Sequence, residues 1–139
     1  MNTIDVEIVS AEGEIFAGPA TMVFLPGTEG DLGVTPRHAP LLTLLRPGEV
    51  RVQLPDGEEQ HFYVGGGALE IQPKKVTVLA DTAARAKDLD EAAALAARER
   101  AQEAVANSQD KITLAEAQAE LLRVVAQLKL IERLRKLKG

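Results

Sequence analysis

Apolar positions alternate with polar ones in the first part of the chain and recur every three or four residues in the last part, so strands are expected first and helices afterwards. The strand candidates are short and regularly spaced: Thr3 to Val9, Thr21 to Leu25, Glu49 to Leu54, Gln60 to Val64, Ala68 to Ile71 and Val76 to Leu79. In Val50-Arg51-Val52-Gln53-Leu54 the alternation puts Val50, Val52 and Leu54 on one buried face. Leu54-Pro55-Asp56-Gly57-Glu58 is a turn: proline presets φ, the aspartate side chain bonds nearby backbone and glycine accepts positive φ. It joins two antiparallel strands. Short strands with no helix between them predict a small β-sandwich or barrel.

The helical pattern opens at Asp88, where Asp88-Leu89-Asp90-Glu91 offers a capping aspartate three residues before a glutamate, and runs to about Val105. Its large apolar residues are Leu89, Leu95 and Val105, and alanines supply the rest. A buried methylene is worth about 0.8 kcal/mol, so an alanine face grips a partner helix weakly. Asn107-Ser108-Gln109 breaks the pattern and Thr113 to Glu116 offers a second capping box, which makes an antiparallel helical hairpin. On the second helix Leu114, Ala117, Leu121, Val124, Leu128 and Ile131 form a seam suited to another helix. Leu130, Leu134 and Leu137 fall on a different side at ~100° per residue. Two apolar faces on one helix suggest two partners, or burial of both against the protein's own sheet.

Composition sharpens the division. Ten of the eleven glycines and all seven prolines precede the stretch Asp81 to Lys87, so a β-domain over residues 1–86 and a two-helix domain over residues 87–139 are expected. A chain of 139 residues, 45% hydrophobic, makes one or two small domains. Without cysteine it has neither disulfides nor thiolate metal sites. Its apolar runs fall short of the ~20 residues that cross a bilayer, and Met-Asn-Thr-Ile-Asp-Val is no signal peptide, so a cytosolic or cytosol-side peripheral protein is expected. The segment from Arg123 to Gly139 holds six Lys/Arg and one Glu, a charge of +5 that leaves −10 for the rest of a chain whose net charge is −5. Such a tail suits an acidic surface.

Catalytic patterns are missing from the sequence. There is no phosphate loop, H-E-x-x-H or G-x-S-x-G, and His38 and His61 stand in unrelated contexts. Gly65-Gly66-Gly67 lies between strand candidates with no helix to hold an anion, and reads as a bulge or a close backbone approach. His61 reads as a surface or partly packed strand residue, and Glu12 and Glu14 as solvated. No catalytic, metal or cofactor site is expected.

Three stretches carry a resemblance. Val9-Ser10-Ala11-Glu12-Gly13-Glu14-Ile15-Phe16-Ala17-Gly18, then Glu29-Gly30-Asp31-Leu32-Gly33-Val34-Thr35-Pro36-Arg37-His38-Ala39-Pro40-Leu41-Leu42-Thr43, then Val78 to Ala83 with Asp88 to Ala92, resemble the epsilon subunit of bacterial F-type ATP synthases. The resemblance implies an N-terminal flattened antiparallel β-sandwich followed by a C-terminal α-helical hairpin. It implies a non-catalytic rotor subunit on the cytoplasmic face of the bacterial inner membrane, whose sandwich touches the gamma subunit and the c-ring. The helices would fold onto the sandwich or extend into the alpha/beta catalytic head and inhibit hydrolysis, with Leu130, Arg133, Leu134, Arg135, Lys136, Leu137 and Lys138 making the contact. By position, the loop Glu29 to Pro40 is the expected c-ring or gamma contact, with Asp31 and His38 its polar members; its glycines and prolines equally suit a tight loop capped by His38.

Some family members bind ATP through Leu/Ile-Asp-x-x-Arg-Ala. Here the stretch is Leu89-Asp90-Glu91-Ala92-Ala93-Ala94, so Ala93 stands where the phosphate-binding arginine would be. The rival reading is a free-standing nucleotide-sensing module. A nucleic-acid adaptor is disfavoured by the acidic balance and by a tail without aromatic residues.

Overall fold

A computed structural model describes residues 2–138, the last by its backbone alone. The chain divides into two compact units, Met1–Lys87 and Asp88–Gly139. The first holds strands β1 (Ile4–Ser10), β2 (Gly13–Ala20), β3 (Met22–Gly27), β4 (Gly30–Val34), β5 (Leu41–Gln53), β6 (Glu59–Ile71), β7 (Lys75–Ala80) and the short β8 (Ala83–Arg85). They pair in the order β2-β1-β7-β6-β5-β3-β4, with β8 beside β6. Every pairing is antiparallel except β1 with β7. The sheet folds over a core of Ile4, Val6, Ile8, Val23, Leu25, Val50, Val52, Phe62, Val64, Leu69, Ile71, Val76 and Val78.

Two strands are longer than their sequence pattern. The candidates at Gln60 to Val64 and Ala68 to Ile71 are one strand, β6, and the candidate at Glu49 begins eight residues earlier, at Leu41. The buried positions of β5 change parity between Leu45 and Val50, and those of β6 between Val64 and Leu69, because both strands bend there. Pro47 pairs with Gly65 at this corner, and a Cβ on Gly48 would come 2.9 Å from the Cβ of Pro26. Gly67, at φ +141°, passes so close to β7 that a Cβ would overlap the Leu79 carbonyl oxygen. The glycine run is a close backbone approach. Val50 and Val52 are buried, Leu54 is partly buried, and Gly57 at φ +93° closes the expected turn, with the Glu58 amide donating to the Asp56 carboxylate at 2.9 Å.

The pattern did not announce β2 and β4, the two ends of the path. Each is mostly exposed or half-buried with one fully buried residue, so each carries a weak alternation, and β2 tolerates Pro19 because an edge strand needs fewer amide donors.

The second unit is the helical hairpin, α1 (Glu91–Asn107) and α2 (Lys111–Lys138). Its caps differ from those expected. Asp88 ends a 3-10 turn, Ala86–Asp88, and Asp90 is the N-cap of α1, accepting from the Ala93 amide at 3.1 Å. Asp110, rather than Thr113, caps α2, accepting from the Thr113 amide at 2.8 Å. In both cases an aspartate immediately before the helix reaches the orphan amide three residues on. The hairpin buries Ala94 and Ala101 of α1, and Ala117, Val124 and Leu130 of α2. Leu114, Leu121, Leu128 and Ile131 are half-buried, so the six-residue seam faces inward. Leu95, by contrast, is exposed.

Candidate interaction site

The described surface of the sandwich is marked by leucines. Leu42 is 74% exposed, Leu44 61% and Leu79 55%. Their register explains the clustering: Leu44 pairs with Ala68, Ala68 with Leu79, and Leu79 with Val9, so one apolar row crosses β5, β6, β7 and β1. Leu42 stands two residues along β5 on the same side. A contiguous exposed apolar row of this kind marks a protein contact. Sequence reading missed it, since leucines at the start of β5 look like core until their register is known.

Asp31 lies beside that row. The stretch expected to be a loop, Glu29 to Pro40, contains β4: Gly27 pairs with Gly30 around a two-residue turn at Thr28 and Glu29, and Gly30 at φ +135° permits the reversal. The Thr28 amide donates to the Leu44 carbonyl at 2.9 Å. The Arg46 guanidinium donates to the Gly27 carbonyl and pairs with the Asp31 carboxylate, so Asp31 has a structural partner in holding the hairpin tip. His38 sits beyond β4, half-buried, and its Nδ1 lies 2.6 Å from the Ala39 carbonyl. The backbone beside it is fixed by Arg37, at φ 68°, whose amide donates to the Pro73 carbonyl at 2.8 Å. Asp31 and His38 thus flank opposite ends of β4 and do not meet as one polar site. His61 pairs with Glu49 across β5 and β6, with Nδ1 2.8 Å from Oε2.

The basic tail is likewise divided. Leu130 is 3% exposed, Leu134 is half-buried and Leu137 is 66% exposed. Arg135 pairs with Glu91 across the hairpin, and Lys136 with Glu132 one turn back at 3.3 Å. Arg133 is half-buried, and the side chain of Lys138 lies outside the described residues. Ile112 and Leu122, both exposed, share the side of α2 that carries Leu137, within roughly 80° at 100° per residue. That side is therefore exposed at Ile112, Leu122 and Leu137 but buried at Leu130.

In the nucleotide-motif stretch Asp90 is engaged as a cap, Ala94 is buried, Ala93 is exposed and Leu89 is half-buried. Among the described residues no three His, Asp or Glu side chains converge to hold a metal, and no helix is long and apolar enough to cross a membrane. One carboxyl is clearly shifted: the Thr113 backbone amide, then its hydroxyl, hold Asp110 below the ordinary 3.8.

A bent β-sandwich with an exposed apolar row, followed by a lightly packed helical hairpin, defines a class of two-domain assembly subunit. Residues 3–86 match the family model described as the beta-sandwich domain of the ATP synthase Delta/Epsilon chain, and residues 87–132 match its long alpha-helix domain. The chain belongs to the ATP synthase delta/epsilon family. It is 58% identical to the ATP synthase epsilon chain of Nitrosococcus oceani over 99% of this chain and 98% of that one. It is 61% identical to that of Alkalilimnicola ehrlichii, over 98% and 97%. Its fold is similar to a chain in the cryo-EM structure of Euglena gracilis mitochondrial ATP synthase (OSCP/F1/c-ring), with TM-score 0.80 at 19% identity, covering 91% of this chain and 79% of that one.

Proposed function

We propose that this protein is the non-catalytic epsilon subunit of a proton-translocating F-type ATP synthase, part of the central stalk that couples the proton gradient to ATP production on other chains. The observation that carries the proposal is the exposed row of Leu42, Leu44 and Leu79 on a chain similar to epsilon chains along nearly its whole length. The row is the seat for gamma, and the hairpin tip at Asp31 and the loop at His38 are the c-ring and gamma contacts. The complex holds the subunit at the cytoplasmic face of the inner membrane.

The hairpin acts as an inhibitor of hydrolysis by leaving its folded form for the alpha/beta head, where Leu130, Leu134 and Leu137 supply apolar contact and Arg133, Arg135, Lys136 and Lys138 select the acidic partner. The exposure of Ile112, Leu122 and Leu137 on the back of α2 supports this, since each state requires its own contacts. Nucleotide sensing is the weaker reading, because alanine at position 93 offers phosphate no cation.

Co-purification from membranes tests the assignment: gamma and the c-ring are expected with the chain, and its recovery without them overturns the proposal. Reversing the four cations to glutamate is expected to raise hydrolysis by the assembled enzyme while synthesis changes less. Unchanged hydrolysis removes the inhibitory role.

A further inference from the structure

Arg85 is the last residue of β8, and its two guanidinium arms reach different strands. Nη2 donates to the Ile15 carbonyl of β2 at 3.1 Å, and Nη1 to the Gln60 side chain of β6 at 3.4 Å. The guanidinium carbon stands 6.0 Å from the centre of the Phe62 ring, which itself packs on Phe16 at 5.5 Å between centroids. β8 occupies the part of β6 that β7 does not reach: Phe62 to Val64 pair with β8, Gly67 to Ile71 with β7. The bridge therefore lies where the aromatic end of the core would otherwise open. Two residues later the regular hydrogen bonding of the sandwich is over. One 3-10 turn, Ala86–Asp88, and the two residues Leu89 and Asp90 connect it to α1.

We propose that Arg85 is a positioning residue that clamps β8 to β2 and β6 and makes position 85 the fixed root of a pivot confined to residues 86–90. A guanidinium suits this because its fork can satisfy acceptors on two strands at once, which an ammonium cannot. The clamp lets the hairpin move without peeling β8 from the core. The consequence for regulation rests on the inhibitory reading given above; the clamp itself does not.

Amide hydrogen exchange on the full-length protein, residue by residue, tests it. The Gly65 amide donates to the Thr82 carbonyl, so in this register the Ala84 amide faces the Tyr63 carbonyl while the Ala83 and Arg85 amides point away from β6; in the unaltered chain Ala84 should be protected and Lys87 to Leu89 should exchange quickly. Arg85→Ala should speed exchange at Ala84 by about tenfold or more, the scale set by losing charge-assisted hydrogen bonds, while β1, β5 and β7 keep their protection. Arg85→Lys should stay close to the alanine variant, since charge alone does not span both acceptors. Unchanged exchange at Ala84 in the alanine variant overturns the clamp. Loss spread evenly over the sandwich also overturns it, by making Arg85 a general support. Deleting residues 88–139 separates the underlying reading: unchanged hydrolysis by the assembled enzyme refutes inhibition and leaves the exchange result standing.

Discussion

The sandwich and the hairpin are built to different standards of burial. The sandwich encloses Phe62, Ile4, Ile8, Leu25 and Leu69 almost completely, whereas among the described residues three of the five buried apolar side chains of the hairpin are alanines. A fully buried leucine or phenylalanine contributes about 1.5–3 kcal/mol and each methylene about 0.8 kcal/mol, so the hairpin gains far less per contact. It makes up some of the deficit at its ends, through the Asp90 and Asp110 caps and the Arg135 to Glu91 pair. The difference teaches where rigidity is placed: the unit proposed to bridge other subunits is fixed by volume, and the unit proposed to change partners is fixed by small, separable contacts.

The largest effect is expected from breaking the sandwich at its tightest point. Gly67→Ala puts a Cβ into the Leu79 carbonyl and 2.9 Å from the Ala80 Cα at a φ of +141°. A loss of about 3 kcal/mol or more is expected from strain and displaced backbone together. Urea unfolding followed by Tyr63 fluorescence measures it, since the protein has one tyrosine and no tryptophan. An unshifted midpoint would mean that the approach of β6 to β7 is looser than drawn.

In the hairpin a core substitution should cost less. Val124→Ala removes two methylene equivalents from a side chain 2% exposed, about 1.6 kcal/mol. Thermal melting followed by helical circular dichroism should fall while the Tyr63 transition holds. A common shift of both signals would erase the contrast between the units.

Glu91→Gln weakens the pair with Arg135, whose partners are both more than a third exposed. Such pairs are worth about 0.2–1 kcal/mol, at most about fivefold in an equilibrium. Because Arg135 is also assigned to the docked state, releasing it should strengthen inhibition of hydrolysis by up to that factor. Weaker inhibition would show that the pair presents Arg135 instead of holding it back.

The smallest effect concerns pH. The Asp110 carboxyl is held below 3.8 by Thr113, so its contribution is present above that ordinary value and is lost as pH falls through the lowered one. The Thr113 amide resonance should therefore titrate below pH 3.8 in the unaltered protein and stay flat in Asp110→Asn, which caps without ionising.

What the sequence made legible follows from where its signals are local. The Leu54 to Glu58 turn, the inward Val50 and Val52 and the six-residue seam of α2 each depend on neighbours within a few positions. The bend at Pro47 and Gly48 against Gly65 to Gly67 was hidden because two strands change parity together, and each alone reads as a break. The exposed leucines were hidden for a related reason: Leu44 and Leu79 meet only through Ala68, on a strand between them. Asp31 was picked out by resemblance, but its partner Arg46 lies 15 residues away.

The two end strands of the sheet bear on the time before assembly. A free subunit that displays Leu42, Leu44 and Leu79 is at risk of sticking to its own kind, and an open strand edge would template that error. β2 carries Pro19 and β4 is five residues long with glycines at 30 and 33, so neither offers a flat, continuous row of donors and acceptors for another chain to extend. The apolar face can then wait in solution for its intended occupant, because the sheet beneath it gives an aggregate nowhere to grow.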